Sequence, residues 1–356
     1  MDKIASNIIS YLRFPLCVAI VMIHSDLGIY NTTAAHSKLY EAFSSLWINY
    51  TCCEAVPLFF FISGYLFFHE NSFSIQIYKN KIKNRLHSIL IPYLLWNIIC
   101  FVFLFIMQGI FSNFNLLLHK QISAFVPQDY LYIFWNLQKV TGISSDQQGP
   151  LVGQFWFLQC LFVFALLSPC IYYCIKKTKL LLVIGILLLC IWDVIPSVPG
   201  FNVVSLYYFS LGAFFGITKT KWYTDNRRTY LLICLVYSLI YILNRNLHID
   251  NLIIIDETLL LFIILGITYH VTKGRKPNKH TQLLCQSSFF VFAIHRYFTS
   301  IGLNLFKNWQ CNHGIEAIII FFVISLFAIL CSVTCYFLLC HFSPKMTQIL
   351  NGNRTR

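Results

Sequence analysis

The stretch Arg13–His24, RFPLCVAIVMIH, sets ten consecutive apolar residues between a cation and an imidazole. It lies within a longer apolar run, residues 7–29, of the length that crosses a bilayer as a helix. Similar runs recur down the chain. Of 356 residues, 58% are hydrophobic and only 11% charged, against about a quarter charged in soluble domains. The pattern predicts an all-α, polytopic transmembrane bundle, a single integral-membrane domain over residues 1–356. The first run is too long for a cleaved signal peptide, and no small-residue cleavage site follows it.

Ten spans are expected, at about 7–29, 45–68, 88–110, 154–174, 180–198, 203–218, 229–244, 252–271, 287–306 and 315–340. The hydrophilic gaps between them alternate in charge. The N-terminus, 69–87, 175–179, 219–228, 272–286 and the C-terminus carry 19 of the 26 cations, and the opposite gaps carry 5. Arg13 and Arg296 are the two that fall inside spans. This asymmetry predicts cytoplasmic termini in the inner (cytoplasmic) membrane. It also gives the net charge of +13 a topological origin, so nucleic acid is not an expected partner. Segment 111–153 is the longest loop and is amphipathic and aromatic, an interfacial helix, a cap, or a connector along the membrane. The 14 cysteines match no zinc spacing and read as small apolar packing residues, with a disulfide left open at Cys52, Cys53 or Cys311. No metal site is expected.

Ionisable groups inside spans cost several kcal/mol unless paired or hydrated, so each is a functional candidate. They are Arg13, His24, Asp26, Glu54, His295 and Arg296, with Asp256 and Glu257 near a span end. Eleven helical residues turn through about 1100°, three turns plus about 20°, so Arg13 and His24 share a face about 16 Å apart. A cation at one mouth and a base deeper in suit a long anionic ligand. The other reading at this point is that Arg13 snorkels to the interface and His24 packs on a neighbour. In EAVPLFFFISGYLFF (54–68), Pro57 removes a helical hydrogen bond and Gly64 permits close helix approach. In SSFFVFAIHRYF (287–298), His295 falls near mid-membrane.

Together these segments resemble the acyltransferase-3 family of membrane O-acyltransferases. The resemblance rests on the Arg13–His24 pair, VPLFFFISGYLFF (56–68), RLHSILIPYLLW (85–96), QFWFLQCLFVFALLSP (154–169), LYYFSLGAFFG (206–216) and SSFFVFAIH (287–295), in order along most of the chain. It implies about ten helices, and acyl-CoA, usually acetyl-CoA, as donor substrate with no permanently bound cofactor. The acceptor would be a hydroxyl of a saccharide or cell-envelope glycan. Two departures stand out. The residue after Trp-Phe-Leu, often Arg in the family, is Gln159, and TCCEAV before the second-span motif carries no cation.

O-acyl transfer needs a base for the hydroxyl proton and a donor for the thioester oxyanion. His24 is the expected base, with Asp26 or Glu54 to orient its ring. Ser63, His295 or Arg296 is the expected oxyanion donor. Arg13 and Arg85 are placed to hold CoA phosphates, with Gln159 and Arg296 also in the donor site. A transporter or polysaccharide-export component with the same fold is the alternative, although the second half holds no counterpart of the Arg13–His24 pair.

Overall fold

The computed structural model describes residues 2–69, 73–111, 118, 120–142, 148–247 and 252–354. Among these the chain is helical, with no strand. The principal helices are α1 (Lys3–Ile23), α2 (Lys38–Phe43), α3 (Ala55–Phe68), α4 (Ile75–Arg85), α5 (Ile91–Ile110), α6 (Asp129–Trp135), α7 (Trp156–Thr178), α8 (Leu180–Ile191), α9 (Val203–Thr218), α10 (Arg227–Leu247), α11 (Ile253–Thr272), α12 (Lys279–Phe306), α13 (Gly314–Phe342) and α14 (Pro344–Leu350). Seven described segments are long and apolar enough to cross a membrane: Lys3–Ile29, Lys38–Phe68, Ile75–Ile110, Gly153–Thr178, Ile253–Thr272, Lys279–Phe306 and Gly314–Phe342. The other three expected spans differ for physical reasons. At 12 and 16 residues, α8 and α9 rise about 18 and 24 Å, short of a hydrocarbon core of about 30 Å. Helix α10 is long enough, but Arg227, Arg228, Asn244 and Arg245 make it less apolar.

The second span is not one regular helix. Between α2 and α3, residues Ser44–Cys52 wind as a nine-residue π-helix, a form found mostly as short bulges at functional sites. Helix α3 restarts at Ala55, so Pro57 sits in its first turn, where an N–H has no intrahelical partner anyway. The hydrogen bond expected to be lost there is therefore not lost.

The chain packs as two compact units, one of Met1–Ile62 and Thr220–Thr347, the other of Ser63–Lys219 and Gln348–Arg354. In the first, α1, α12 and α13 enclose a core of Cys17, Val21, Val291 and Ala328. A second cluster at the far end of α1 joins Leu27, Tyr40, Ile48, Leu303 and Phe321. At the opposite end the basic connections converge. Asn7 and Tyr11 donate to the carbonyls of Arg275 and Lys276 at 3.0 and 2.9 Å, and the Tyr223 hydroxyl donates to Asp2. The N-terminus, 219–228 and 272–286, grouped on charge alone, thus share one end of this unit. Lys273 and the Tyr269 hydroxyl both donate to Asp225 there and hold its carboxyl below the usual range.

In the second unit, Gly64 and Gly216 set the closest helix contact. A Cβ on Gly64 would meet the Phe209 carbonyl oxygen at 2.0 Å, and one on Gly216 the Tyr65 oxygen at 2.9 Å. Helices α3 and α9 are therefore in backbone contact, joining VPLFFFISGYLFF to LYYFSLGAFFG. The C-terminal residues return to this unit, where Trp96 donates to the Leu350 carbonyl at 3.1 Å. Within 111–153, residues 112–117, 119 and 143–147 lie outside the described residues, as does Arg356 at the C-terminus. The described part of that loop forms α6, whose Ile133 carbonyl accepts from Leu151 N–H at 2.7 Å. All 14 cysteines are free.

Candidate active site

Helices α1 and α12 both leave the basic end and run side by side. Their contacts repeat like rungs. An Arg13 guanidinium nitrogen lies 3.9 Å from Cys285 Sγ. Cys17 Sγ donates to the Ser288 carbonyl at 3.2 Å. Val21 packs with Val291, and the His24 and His295 rings close the series with centroids 5.3 Å apart and planes 32° apart. Steps of four, four and three on α1 meet steps of three, three and four on α12, each keeping one helix face. The face that Arg13 and His24 share is the one turned to α12. Cys285 and Ser288 escaped the sequence reading. Their small side chains at helical spacing ahead of His295 are the signal that marks this face.

The two imidazoles differ. His295 is fully buried, and its Nδ1 lies 2.8 Å from the Phe292 carbonyl and 3.2 Å from that of Val291. A carbonyl only accepts, so Nδ1 carries the proton and Nε2 is left with a lone pair. Nε2 is buried with no hydrogen-bond partner. His24 is half-buried at the C-cap of α1, its backbone N–H bonded to the Ile20 carbonyl at 3.3 Å. Only the His24 ring is reachable from outside the core. Arg296 is half-buried and within electrostatic range of both imidazoles and of the Tyr30 hydroxyl.

Neither expected carboxylate is shown on the imidazoles. Asp26 lies two residues past the end of α1. Its Oδ1 accepts from the Tyr40 hydroxyl at 2.8 Å and Gly28 N–H at 3.0 Å, and its Oδ2 from Ser44 at 3.1 Å. It caps the turn 27–29 and ties α2 and the π-helical segment to α1. Glu54 is buried in the break before α3, with Oε2 unpaired and Glu257 as its charged neighbour. The group closest in kind to an orienting partner for His24 is the Nε2 lone pair of His295.

Ser63, Arg85 and Gln159 belong to the second unit. Ser63 is half-buried beside Gly64. Arg85 ends α4 just before a short π-helical turn, Leu86–Leu90. Its guanidinium lies over the Phe67 ring at 5.6 Å, and the Lys81 ammonium lies 5.0 Å from the same ring. Gln159 donates to the Tyr93 hydroxyl at 2.9 Å and the Trp135 carbonyl at 3.0 Å. Tyr93 in turn donates to the Phe134 carbonyl. Gln159 therefore ties the C-terminal turn of α6 to α5 and α7, which uses an amide in a way a guanidinium cannot copy, because one of its NH₂ protons goes to each partner.

A helical membrane chain with an Arg–His face set against a second histidine invites comparison with known proteins. No curated protein and no solved structure matches the chain. A profile described as an acyltransferase domain does match, over residues 7–337, nearly the whole length. The chain therefore belongs to the acyltransferase-3 family, and it is a membrane acyltransferase.

Proposed function

We propose that the chain moves an acyl group, acetyl in the simplest case, from acyl-CoA to a hydroxyl of a saccharide or cell-envelope glycan. The observation that carries the reading is the imidazole pair: a reachable His24 beside a His295 whose tautomer is fixed and whose Nε2 lone pair is buried and unpaired. His24 takes the acceptor proton as the hydroxyl oxygen attacks the thioester carbon. The tetrahedral intermediate collapses, the C–S bond breaks, and His24 returns the proton to the leaving sulfur. The products are the ester and free CoA. His295 assists by offering an acceptor to the other His24 nitrogen as that ring becomes an imidazolium. Catalytic hydrogen bonds are often long before substrate binds. Arg296, the neighbouring cation, stabilises the oxyanion. Ser63 is the remaining candidate for that role, and Arg85 and Gln159 remain candidates for the donor site.

Arg13 sits three turns before His24 on the same face and holds the CoA phosphates. Charge-assisted, bidentate contacts exceed neutral hydrogen bonds. Arg13→Ala is expected to weaken acyl-CoA binding about tenfold or more, with the protein still inserted, and Arg13→Lys should fall between. Titration of purified variants with acyl-CoA measures this. Unchanged affinity in Arg13→Ala returns the residue to the membrane interface.

The sidedness follows from charge: ten spans in the inner membrane, with both termini and the basic connections cytoplasmic. Asp225→Cys, in one such connection, should resist a membrane-impermeant thiol reagent in intact cells and react after permeabilisation. The exposed Asp225–Lys273 pair that it removes costs little. Labelling from outside would invert the topology. The acceptor class is tested by mass spectrometry of envelope glycans with and without the gene. Loss of an acyl increment supports the reading, and unchanged glycans oppose it.

A further inference from the structure

Helix α10 carries Tyr237, Tyr241 and Asn244 at steps of four and three, on one face. Tyr237 and Tyr241 line an open cleft of about 810 Å³ with Phe43, Trp47 and Tyr50 of the α2–π-helix segment, all in the first unit. The Tyr237 and Tyr241 rings lie side by side, 25° from parallel with centroids 6.1 Å apart. Tyr50 meets Tyr241 at 87° and 4.9 Å. Next to this aromatic wall is a buried polar network. The Tyr50 hydroxyl donates to Asp256 Oδ2 at 2.7 Å, and Asn244 Nδ2 donates to the same oxygen. Asp256 has no exposed surface, and Asp256 Oδ1 and Asn244 Oδ1 are both buried without a partner.

These features narrow the occupant. Both orphan atoms accept, so they call for a ligand that donates. A phosphate or carboxylate offers no donor and is repelled by Asp256. A lipid chain leaves both acceptors unpaired. An ammonium needs ring faces converging on one point within about 6 Å. Here Tyr237 and Tyr241 form an extended platform instead, with Tyr50 set edge to face against Tyr241. A flat ring with apolar C–H faces and equatorial hydroxyls matches both the platform and the acceptors.

We propose that this cleft binds a sugar unit of a saccharide acceptor, with Tyr237 and Tyr241 carrying its apolar face and Asn244 and Asp256 accepting from its hydroxyls. The cleft is not the reacting centre. Cys52 Sγ touches Met22 Sδ at 3.9 Å, and Ile48 packs with Leu27, so these residues face α1 while Tyr50 faces α10. The bound unit is a neighbour of the one that is acylated. In biological purpose this rests on the acyltransferase reading above, but it needs no donor to be tested.

The full chain in phospholipid nanodiscs is examined by saturation-transfer NMR without acyl-CoA. The probes are neutral tetrasaccharides of glucose, galactose, mannose and N-acetylglucosamine, with tetramethylammonium and inorganic phosphate as the other arms. Saturable transfer to at least one tetrasaccharide is expected, strongest at ring C–H protons. Tyr241→Leu and Asn244→Leu should each weaken it about tenfold or more, while Tyr241→Trp, which keeps a platform, and His24→Gln should retain it. Variants are compared at wild-type elution volume. No transfer to any tetrasaccharide, equal transfer in a correctly eluting Tyr241→Leu protein, or a response to tetramethylammonium alone overturns the proposal. Loss of catalysis in His24→Gln with saccharide binding intact leaves both readings standing. Transfer intact in that variant removes the catalytic reading alone.

Discussion

His24→Gln should lose acyl transfer by roughly 10²–10⁴-fold, the usual contribution of a general base, while binding acyl-CoA as the wild type does. Glutamine keeps much of the shape and some hydrogen bonding but takes up no proton at neutral pH. His24 is the half-buried member of the pair, whereas His295 is sealed in the core with its Nδ1–H fixed on backbone carbonyls. Donor recognition lies three turns away at Arg13, so affinity should survive. His24→Ala should fail equally. A histidine that serves only packing gives the reverse order, with glutamine tolerated and alanine unstable. Histidine 295 acts through His24, so its replacement by Gln should lower kcat with little change in KM and shift the pH profile of the reaction. The measurement is transfer to the native acceptor, normalised to folded protein in the membrane. Near-normal transfer by His24→Gln sinks the assignment.

The parts of this site set by local periodicity were legible in advance. Once residues 3–23 are a helix, the angle between Arg13 and His24 follows, and the shared face is where α12 packs. The His295 contact was not legible, because the register of α1 against α12 is a tertiary quantity that no spacing within either helix fixes. The Asp26 expectation shows where the rule ends. Asp26 lies beyond the C-cap of α1, so its direction is set by the turn 27–29 and by Tyr40 instead of the helical angle. Gln159 carried a resemblance to a donor-site position, yet its partners are the Tyr93 hydroxyl and a backbone carbonyl of α6. The span count was overdrawn for the same kind of reason: hydropathy sees α8 and α9 as apolar but not as too short to cross alone. Asp256 was flagged as a costly charge, and only the fold reveals Tyr50 and Asn244 as its partners.

The α3–α9 seam supplies the second large effect. Gly64→Ala should lower the yield of folded protein and its thermal midpoint, and Gly64→Leu should abolish folding. Inserting atoms into packed interiors typically costs about 1–3 kcal/mol when side chains can shift. Here the added Cβ would lie 2.0 Å from the Phe209 carbonyl oxygen, 2.9 Å from its carbon and 3.0 Å from the Ala213 nitrogen, all backbone atoms of α9. Relief requires moving one helix away from the other, and Gly216 against Tyr65 closes the same seam further along. Small residues that let backbones approach are how membrane helices associate where no hydrophobic drive exists between them. Gly185 and Gly109 are the internal controls, because a Cβ on either meets nothing within 4 Å. Alanine there should be neutral or gain up to about 1 kcal/mol from helix propensity. Fluorescence-detected size-exclusion of heated, detergent-solubilised variants reads all four. A Gly64→Ala protein with the wild-type midpoint would mean that the two helices do not meet through this glycine.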